Sequence, residues 1–349
     1  MDAGSKLPVL WIVVPCFNEE DVLPLTGPLF LTQLKNMCAE GLIADTSRIL
    51  FADDGSEDGT WDVIRGFSNI DSHYSGISLS RNQGHQNALL AALTEACEGG
   101  ADLTISIDCD GQDDAHAMSD MVREYQKGSE IVYAVRSSRR TDIWFKRTSA
   151  QAYYHFLKRM GVDIVCNHAD YRLVSRRALR EFLNFREVNL FLRGMFPLLG
   201  FRSSCVYYER KERMAGKTHY SFREMSALAI DGITSFSVTP LRVISRIGFL
   251  VALISFIAII WTIAAHLAGH AVSGWESMTC IMCFVAGVQM LSLGVIGEYI
   301  GKIYLEVKGR PRFIISGRTY GGGQKTGVFP DGGAGSQTDT SFGREEQRK

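Results

Sequence analysis

Two aspartates separated by a single residue, Asp108 and Asp110, carry the strongest chemical signal in the sequence. They follow the apolar run 103–107, which predicts a buried strand, so both carboxylates can face the same side of the chain. Like charges at this spacing repel each other unless a cation joins them. Carboxylate oxygens suit Mg²⁺ or Mn²⁺, which keep positions open for substrate phosphates. With Gln112 and Asp113 nearby, the pattern favours a divalent-metal site that bridges a diphosphate over a solvated acidic loop.

Three more polar clusters end apolar runs, at residues 15–20, 53–60 and 80–88. Each cluster alone also has a structural explanation. Asp, Ser and Gly favour turns and helix N-caps, so a turn followed by a helix cap explains residues 53–60 about as well as a ligand site does.

The clusters are separated by elements that alternate between short apolar runs and helical patterns. The runs predict strands at 9–14, 49–52, 76–79, 103–107, 131–135 and 204–208, and the helical patterns lie near 20–39, 59–67, 86–97 and 115–127. Such alternation predicts an α/β domain with a mainly parallel sheet covered on both faces. Ligands of these sheets bind outside the carboxyl ends of the strands, where the polar clusters stand.

Two runs near the C-terminus, 247–267 and 278–297, contain no Asp, Glu, Lys or Arg. Each has the length needed to cross a bilayer, which favours two transmembrane helices over a pair of buried core helices. Basic residues precede the first run and follow the second, whereas the loop 268–277 has no Lys or Arg. The positive-inside rule therefore predicts that both termini are cytoplasmic.

The overall composition excludes some classes of protein. The 349 residues include 37 Lys and Arg against 38 Asp and Glu, whereas a dedicated nucleic-acid binder normally carries a basic excess. The eight cysteines are scattered, which indicates free thiols in a reducing compartment. The one close pair, Cys280 and Cys283, lies in an apolar run without a second ligand pair, so a zinc or redox site there is disfavoured.

These observations divide the chain into four parts. Residues 1–220 are predicted to form a cytoplasmic catalytic domain and 241–312 a two-helix membrane region. Residues 221–240 contain an amphipathic helix that either lies on the membrane or packs against the domain. Residues 313–349 are predicted to form a largely disordered cytoplasmic tail, because the sequence from Tyr320 is rich in Gly, Ser and Thr.

Four motifs in order, P-x-F-N-E-E, D-D-G-S-x-D-G-T, S-R-N-x-G-H-Q-N-A and D-x-D-x-Q-D, resemble family-2 glycosyltransferases. The two C-terminal runs narrow the resemblance to polyprenyl-phosphate glycosyltransferases, the group of bactoprenol glucosyltransferase and dolichol-phosphate mannose synthase. The resemblance covers residues 8 to 315 or so and implies an A-type nucleotide-sugar transferase fold, a Rossmann-like and mainly parallel sheet, followed by two transmembrane helices.

The resemblance also implies roles for residues of the four clusters. A nucleotide pocket would be lined by residues of the first two clusters, namely Pro15, Phe17, Glu19, Asp53 and Asp54. The metal and the donor diphosphate would be held by the fourth cluster, namely Asp108, Asp110 and Gln112. Arg136 would lie near the phosphates, a role that suits a planar guanidinium.

Two further elements resemble family motifs but depart from them. Residues 167–173 resemble G-D-F-R-L with Ala169 in place of Gly, and the resemblance makes Asp170 the candidate catalytic base. A phosphate monoester with a second pKa of about 6 needs little deprotonation near pH 7, so Asp170 either acts as a base or orients its neighbours.

Residues 210–220 resemble R-x-x-G-x-S/T-K-Y, which makes Arg213 a phosphate-facing residue. His219 stands where Lys is expected, so either Lys217 substitutes or neutralisation depends more on Arg213 and the metal.

The resemblance implies inverting transfer of a hexose, glucose from UDP-glucose above all, to undecaprenyl or another polyprenyl phosphate at the cytoplasmic leaflet. The first alternative is the same reaction with N-acetylglucosamine, galactose or mannose, which fit equally well physically, and a non-catalytic membrane scaffold is less favoured. A processive synthase is disfavoured because the chain has no Arg-Trp pair. The expected partners are the nucleotide sugar, the lipid phosphate, the bilayer, a downstream flippase and a second glycosyltransferase, but no nucleic acid. Homo-oligomers through close helix packing are suggested by Gly287, Gly294 and Gly297.

Overall fold

The computed structural model describes residues 6–137, 168–187, 192–209, 239–267 and 274–321. The first part alternates strands and helices, in the order β1 (Leu10–Cys16), α1 (Leu23–Ala39), β2 (Arg48–Asp53), α2 (Thr60–Ile70), β3 (Tyr74–Leu79), α3 (His85–Glu98), β4 (Leu103–Ser106), α4 (Ala117–Gln126) and β5 (Ile131–Arg136). The remainder comprises β6 (His168–Ser175), α5 (Arg176–Leu183), α6 (Leu192–Leu198), β7 (Ser203–Tyr208), α7 (Thr239–Leu267), α8 (Trp275–Lys308) and β8 (Ile315–Tyr320).

The described strands form one eight-stranded sheet in the order β7-β5-β6-β4-β1-β2-β3-β8. Strands β3, β2, β1 and β4 are parallel neighbours. The chain runs from β1 to β2 and β3 on one side and then crosses to β4 on the other side. This reversal opens a crevice at the carboxyl ends of β1 and β4, which is where α/β sheets bind their ligands. The predicted mainly parallel sheet is confirmed.

The parallel strands are apolar on both faces because helices cover both sides of the sheet. In β1, Leu10, Ile12 and Val14 pack toward the face that α1, α2 and α4 cover. Trp11 and Val13 point to the opposite face, which is covered by α3, α5 and α6. The result is a three-layer domain with a separate apolar core on each side of the sheet.

Strand β6 was not predicted as a strand, and it lies antiparallel between β4 and β5. Its register places Arg172 opposite Ser106 of β4 and Tyr133 of β5. This insertion brings the A-D-Y-R-L segment to the carboxyl end of β4, next to the loop that carries Asp108 and Asp110.

The two predicted membrane spans fall in long helices, α7 with 29 residues and α8 with 34 residues. Within the described residues, the stretch 284–308 of α8 is long and apolar enough to cross a membrane. The first span, 247–267, lies in α7, several of whose side chains are outside the description. The two-span topology therefore stays a prediction, and the predicted amphipathic helix at 221–236 lies outside the described residues.

After α8 the chain returns to the catalytic sheet, where β8 pairs antiparallel with β3. The amide of Ser80 donates to the carbonyl of Ile314 at 2.9 Å. Arg318 donates to both carboxylate oxygens of Glu95 in α3, at 3.0 and 3.2 Å, and the Tyr320 hydroxyl also bonds Glu95. The sequence predicts a largely disordered tail from residue 313, whereas the structure places 315–320 in the sheet.

Candidate active site

The loop after β1 is bound to the loop after β2, and together they form one wall of the crevice. The amide of Asn18 donates to Ser56 Oγ at 3.0 Å, and Asn18 Oδ1 accepts from the amide of Glu57 at 3.0 Å. The amide of Glu19 donates to Thr60 Oγ1 at 2.8 Å. Asn18 has a φ of 54°, a left-handed conformation that asparagine tolerates. These bonds hold the first two polar clusters side by side.

The three predicted pocket residues of the first cluster differ in their surroundings. Pro15 is buried within β1 and pairs with Ala52 of β2. Glu19 is half-buried, and the ring of Phe17 is exposed at the end of the strand. The apolar ring of Phe17 is therefore accessible after the end of β1, whereas Pro15 belongs to the buried part of the strand that precedes the loop.

Asp53 and Asp54 are both buried but bind different parts of the site. Asp53 accepts from the amide of Ser56 at 3.0 Å and from Ser78 Oγ at 2.7 Å, so both of its oxygens hold the turn and the neighbouring strand. Asp54 accepts from the amide of Gln83 at 2.8 Å. Burial raises the pKa of Asp54, and the backbone amides it binds only partly offset this effect. Asp53 thus shapes the turn, and Asp54 joins it to the third cluster.

The close approach of these two loops depends on Gly55. Its φ is +66°, and a Cβ atom there would lie 2.5 Å from the carbonyl carbon of Arg81. A side chain would therefore push the 80–84 segment away from Asp54, which is a second reason for glycine besides the left-handed backbone.

The acidic loop after β4 places Asp108 and Asp110 on the opposite side of the crevice. Asp110 is buried and accepts from the amide of Gln112 at 3.1 Å. Burial raises the pKa of the Asp108 carboxyl, and the carboxylates of Asp170, Asp113 and Asp110 raise it further, while His85 opposes the shift. Negative charge is therefore concentrated where a cation would relieve it.

This concentration of oxygen donors fits a divalent ion that shares its ligands with a substrate. Among the described residues, no three His, Cys, Asp or Glu side chains form a ready-made metal cluster. Asp108 and Asp110 could supply two carboxylate ligands, and Mg²⁺ and Mn²⁺ commonly take the others from phosphates and water. The donor set thus suits a site that is completed by a diphosphate.

Asp170, on β6, lies at the centre of a charged cluster. One of its oxygens bonds Arg172, and the other accepts from Arg193 Nη2 at 3.0 Å and Nε at 3.3 Å. Gln86 Nε2 lies 3.5 Å from the same oxygen. His85 Nε2 lies 3.6 Å from Asp170 Oδ2 and 3.7 Å from Asp108 Oδ1, so the imidazole separates the two carboxylates.

The partners of Asp170 determine its chemistry. Burial alone would raise its pKa, but the nearby imidazole of His85 and the charges of Arg172 and Arg193 hold the pKa well below the usual range. A carboxylate with so low a proton affinity is a weak general base near neutral pH. The role of Asp170, as a base or as a residue that orients its neighbours, stays a prediction.

Arg136 stands at the carboxyl end of β5 and is held by a small network. Its Nη2 lies 3.5 Å from Asp113 Oδ1, and its Nε donates to the Tyr208 hydroxyl at 3.3 Å. Tyr208 in turn donates to Asp113 Oδ1 at 2.6 Å. The network fixes a partly exposed guanidinium beside Asp113 of the acidic loop, and the phosphate role of Arg136 stays a prediction.

Some residues of the site have no predicted role, and two residues with predicted roles lie outside the described residues. His85 and Gln86 stand in a quoted motif, but nothing in their local pattern indicated that they reach Asp170. Arg193 and Tyr208 gave no local signal. Arg213 and Lys217 lie outside the described residues, so their roles stay predictions.

The four-strand parallel core, the acidic loop at the end of β4 and the antiparallel strand beside it define an A-type nucleotide-sugar transferase fold. Residues 11–183 match the family model described as Glycosyl transferase family 2, and residues 239–303 match the GtrB C-terminal hairpin. The chain belongs to glycosyl transferase family 2, and it is a transferase.

Relatives match over most of the chain. A Bacillus subtilis protein named uncharacterized glycosyltransferase YkoT is 46% identical over 308 residues, which cover 88% of this chain and 91% of that protein. The bactoprenol glucosyl transferase of Shigella phage SfX is 37% identical over 309 residues, covering 88% and 98%. Among solved structures, the mannosyltransferase PcManGT of Pyrobaculum calidifontis, in complex with GDP-Man and Mn²⁺, is 16% identical with a TM-score of 0.44, covering 87% and 86%.

Proposed function

We propose that the protein transfers glucose from UDP-glucose to a polyprenyl phosphate, such as undecaprenyl phosphate, with inversion at the anomeric carbon. The observation that carries this proposal is the juxtaposition of the Asp108–Asp110 loop with the Asp170 cluster, across one imidazole, in a chain that continues into long apolar helices. Support for the sugar and the acceptor comes from relatives named bactoprenol glucosyl transferase.

The donor would occupy the crevice between the loops after β1, β2 and β4. The base and ribose would lie against Phe17, Glu19 and Asp54, with Pro15 and Asp53 supporting the pocket. Mg²⁺ or Mn²⁺ would be held by Asp108 and Asp110, with Gln112 beside them. When bound, the ion would stabilise the negative charge that develops on the leaving diphosphate.

Arginines would supply the remaining positive charge. Arg136 is already fixed at the end of β5 by Asp113 and Tyr208. Arg213 and Lys217 are assigned the same function from their motif. Guanidinium groups suit this role because they present several donors to phosphate oxygens in a fixed plane.

The acceptor needs orientation more than deprotonation. With a second pKa of about 6, its phosphate is mostly a dianion near pH 7 and can attack without a strong base. Asp170 would keep the basic cluster aligned while a phosphate oxygen attacks the anomeric carbon from the face opposite the diphosphate. A single displacement of this kind inverts the configuration and forms no covalent enzyme intermediate.

The apolar helices would bring this chemistry to the membrane. In the topology we propose, α7 and α8 both cross the bilayer, and the catalytic domain and both termini are cytoplasmic. The domain would then face the leaflet that holds the acceptor, which supplies proximity rather than chemistry. The lipid-linked sugar would serve as a donor for cell-envelope glycans after a flippase and a second transferase have acted.

The experiment is a lipid-transfer assay on the full chain in nanodiscs, with undecaprenyl phosphate, Mg²⁺ and radiolabelled UDP-glucose. We expect labelled lipid that chelation of the metal abolishes. Labelled lipid from UDP-N-acetylglucosamine, UDP-galactose or GDP-mannose in place of UDP-glucose would correct the sugar and keep the reaction. Absence of labelled lipid with all four donors would refute the proposed function.

A further inference from the structure

Arg193 is the half-exposed member of the Asp170 cluster. Its side chain is 39% exposed, whereas Asp170 beside it is 5% exposed and Arg172 is 1% exposed. Arg193 directs Nε and Nη2 to a single oxygen of Asp170, at 3.3 and 3.0 Å. A buried carboxylate therefore orients a guanidinium that solvent can reach.

The main chain that carries Arg193 is also fixed. The amide of Leu192, the preceding residue, donates to Gln86 Oε1 at 3.1 Å, and the carbonyl of Leu192 accepts from Arg172 Nη1 at 3.2 Å. The start of α6 is thus bound to α3 and to β6. Such preorganisation reduces the ordering cost of binding an anion, because the side chain is already placed.

The charges of the site are arranged as two poles. Among the three described side chains Asp170, Arg172 and Arg193, the positive charges outnumber the negative by one. His85 lies between this cluster and Asp108. The acidic pole suits a cation and the diphosphate that shares it. The basic pole suits a second anion, which must reach the sugar from the other side.

We infer that Arg193 binds the phosphate of the lipid acceptor, an inference that rests on the proposed function. Its guanidinium has five N–H donors, so a phosphate oxygen can be bound while Asp170 keeps the group aligned. Asp170 acts on the acceptor through Arg193 rather than by removing a proton from it.

The chain contains a matched control, the ion pair of Arg318 with Glu95. Arg318 is likewise 39% exposed and its carboxylate partner 6% exposed, but the pair joins β8 to α3 and lies outside the Asp170 cluster. If the loss of any half-exposed arginine with a buried partner lowers activity, substitution of Arg193 and substitution of Arg318 should both do so. If Arg193 contacts the acceptor, only its substitution should weaken acceptor binding.

The test compares wild-type, Arg193→Gln, Arg193→Lys and Arg318→Gln full chains in nanodiscs. We expect Arg193→Gln to raise the KM for undecaprenyl phosphate by about tenfold to a hundredfold, the range for a lost hydrogen bond to a charged group, with the KM for UDP-glucose unchanged. Arg193→Lys should recover part of this loss, and Arg318→Gln should leave both KM values unchanged. An unchanged acceptor KM in Arg193→Gln, or an equal rise in donor KM, would overturn the inference.

Direct binding separates this inference from the reaction itself. Farnesyl phosphate, inorganic phosphate and farnesol are titrated into the same proteins without donor. We expect farnesyl phosphate to bind wild type more tightly than Arg193→Gln, farnesol to bind both equally, and inorganic phosphate to compete with farnesyl phosphate in wild type only. Equal binding of farnesyl phosphate to both proteins would refute the role of Arg193, even if wild type transferred no sugar and the proposed function had failed.

Discussion

Replacement of Asp170 by asparagine should destabilise the protein as well as stop the reaction. Arg172 is 1% exposed, and the neutral amide would leave its charge buried without the carboxylate that it now contacts. Breaking a buried ion pair from one side costs about 3–5 kcal/mol. For a domain of this size, that loss corresponds to a fall in Tm of roughly 10 °C. Arg193 contributes less to the loss because its half-exposed side chain can be hydrated.

The double variant Asp170→Asn/Arg172→Met separates stability from catalysis. It removes both buried charges, and methionine can pack on the Phe196 ring, which now lies 4.8 Å from the Arg172 guanidinium carbon. Removing both charges of a buried pair costs much less than leaving one charge buried without its partner. The carbonyl of Leu192 would still lose its donor, so we expect recovery to within about 1 kcal/mol of wild type.

The measurements are thermal unfolding followed by tryptophan fluorescence and the lipid-transfer rate, both on the full chain in nanodiscs. We expect the single variant to unfold early and to turn over slowly, and the double variant to regain its Tm but not its turnover. UDP-glucose should bind the double variant as it binds wild type. A single variant as stable as wild type, or a double variant with full turnover, would refute the reasoning about this ion pair.

Three further predictions concern the loops and the surface. Gly55→Ala should lower the free energy of unfolding by about 1–3 kcal/mol and raise the donor KM. The control is Gly41→Ala, because Gly41 has a similar φ of +67° but nothing within 4 Å of its Cβ position, so this variant should lose less stability and keep the wild-type KM. Equal losses of Tm in the two variants would contradict the clash at Gly55. Mg²⁺ should raise the Tm of wild type by preferential binding to the folded state but not that of Asp110→Asn, and equal stabilisation of both would exclude Asp110 as a ligand. Burial tends to raise the pKa of Asp71, but the bond from Lys35 at 2.7 Å and a neighbouring histidine lower it below the usual value. The contribution of Asp71 to stability is therefore present above the unfolded-state pKa of about 3.9 and is lost on acidification below it. The Tm deficit of Asp71→Asn should accordingly shrink between pH 5 and pH 3, and a deficit that grows over that interval would show that the sign is wrong.

The parallel core could be predicted from sequence because its signals are local. Each of β1 to β4 is a short apolar run that ends at a polar cluster, and a helical pattern lies between each run and the next. Because ligands of such sheets bind outside the carboxyl ends of the strands, the clusters that follow these strands could be predicted to share one crevice.

Strand β6 could not be predicted in the same way, because it carries Asp170 and Arg172 where a core strand normally has apolar residues. Those two charges are tolerated because they neutralise each other in the interior, which only the folded arrangement reveals. Arg193 gave no signal for a similar reason, since its partner lies 23 residues away on a different element. Strand β8 is short and polar, and its pairing with β3 spans more than 230 residues of sequence.

The return of the chain to β3 has a consequence for biosynthesis. Because β8 follows α8 and belongs to the same sheet as β1 to β7, the two long helices α7 and α8 are inserted in the sequence of the catalytic domain before its last described strand. During translation, the ribosome releases both long apolar helices before the last strand of the sheet exists. Until then the edge of β3 keeps its backbone donors and acceptors unpaired. The sheet is therefore completed only after the two long apolar helices have emerged from the ribosome, so the domain cannot finish folding before its most hydrophobic segments have been made.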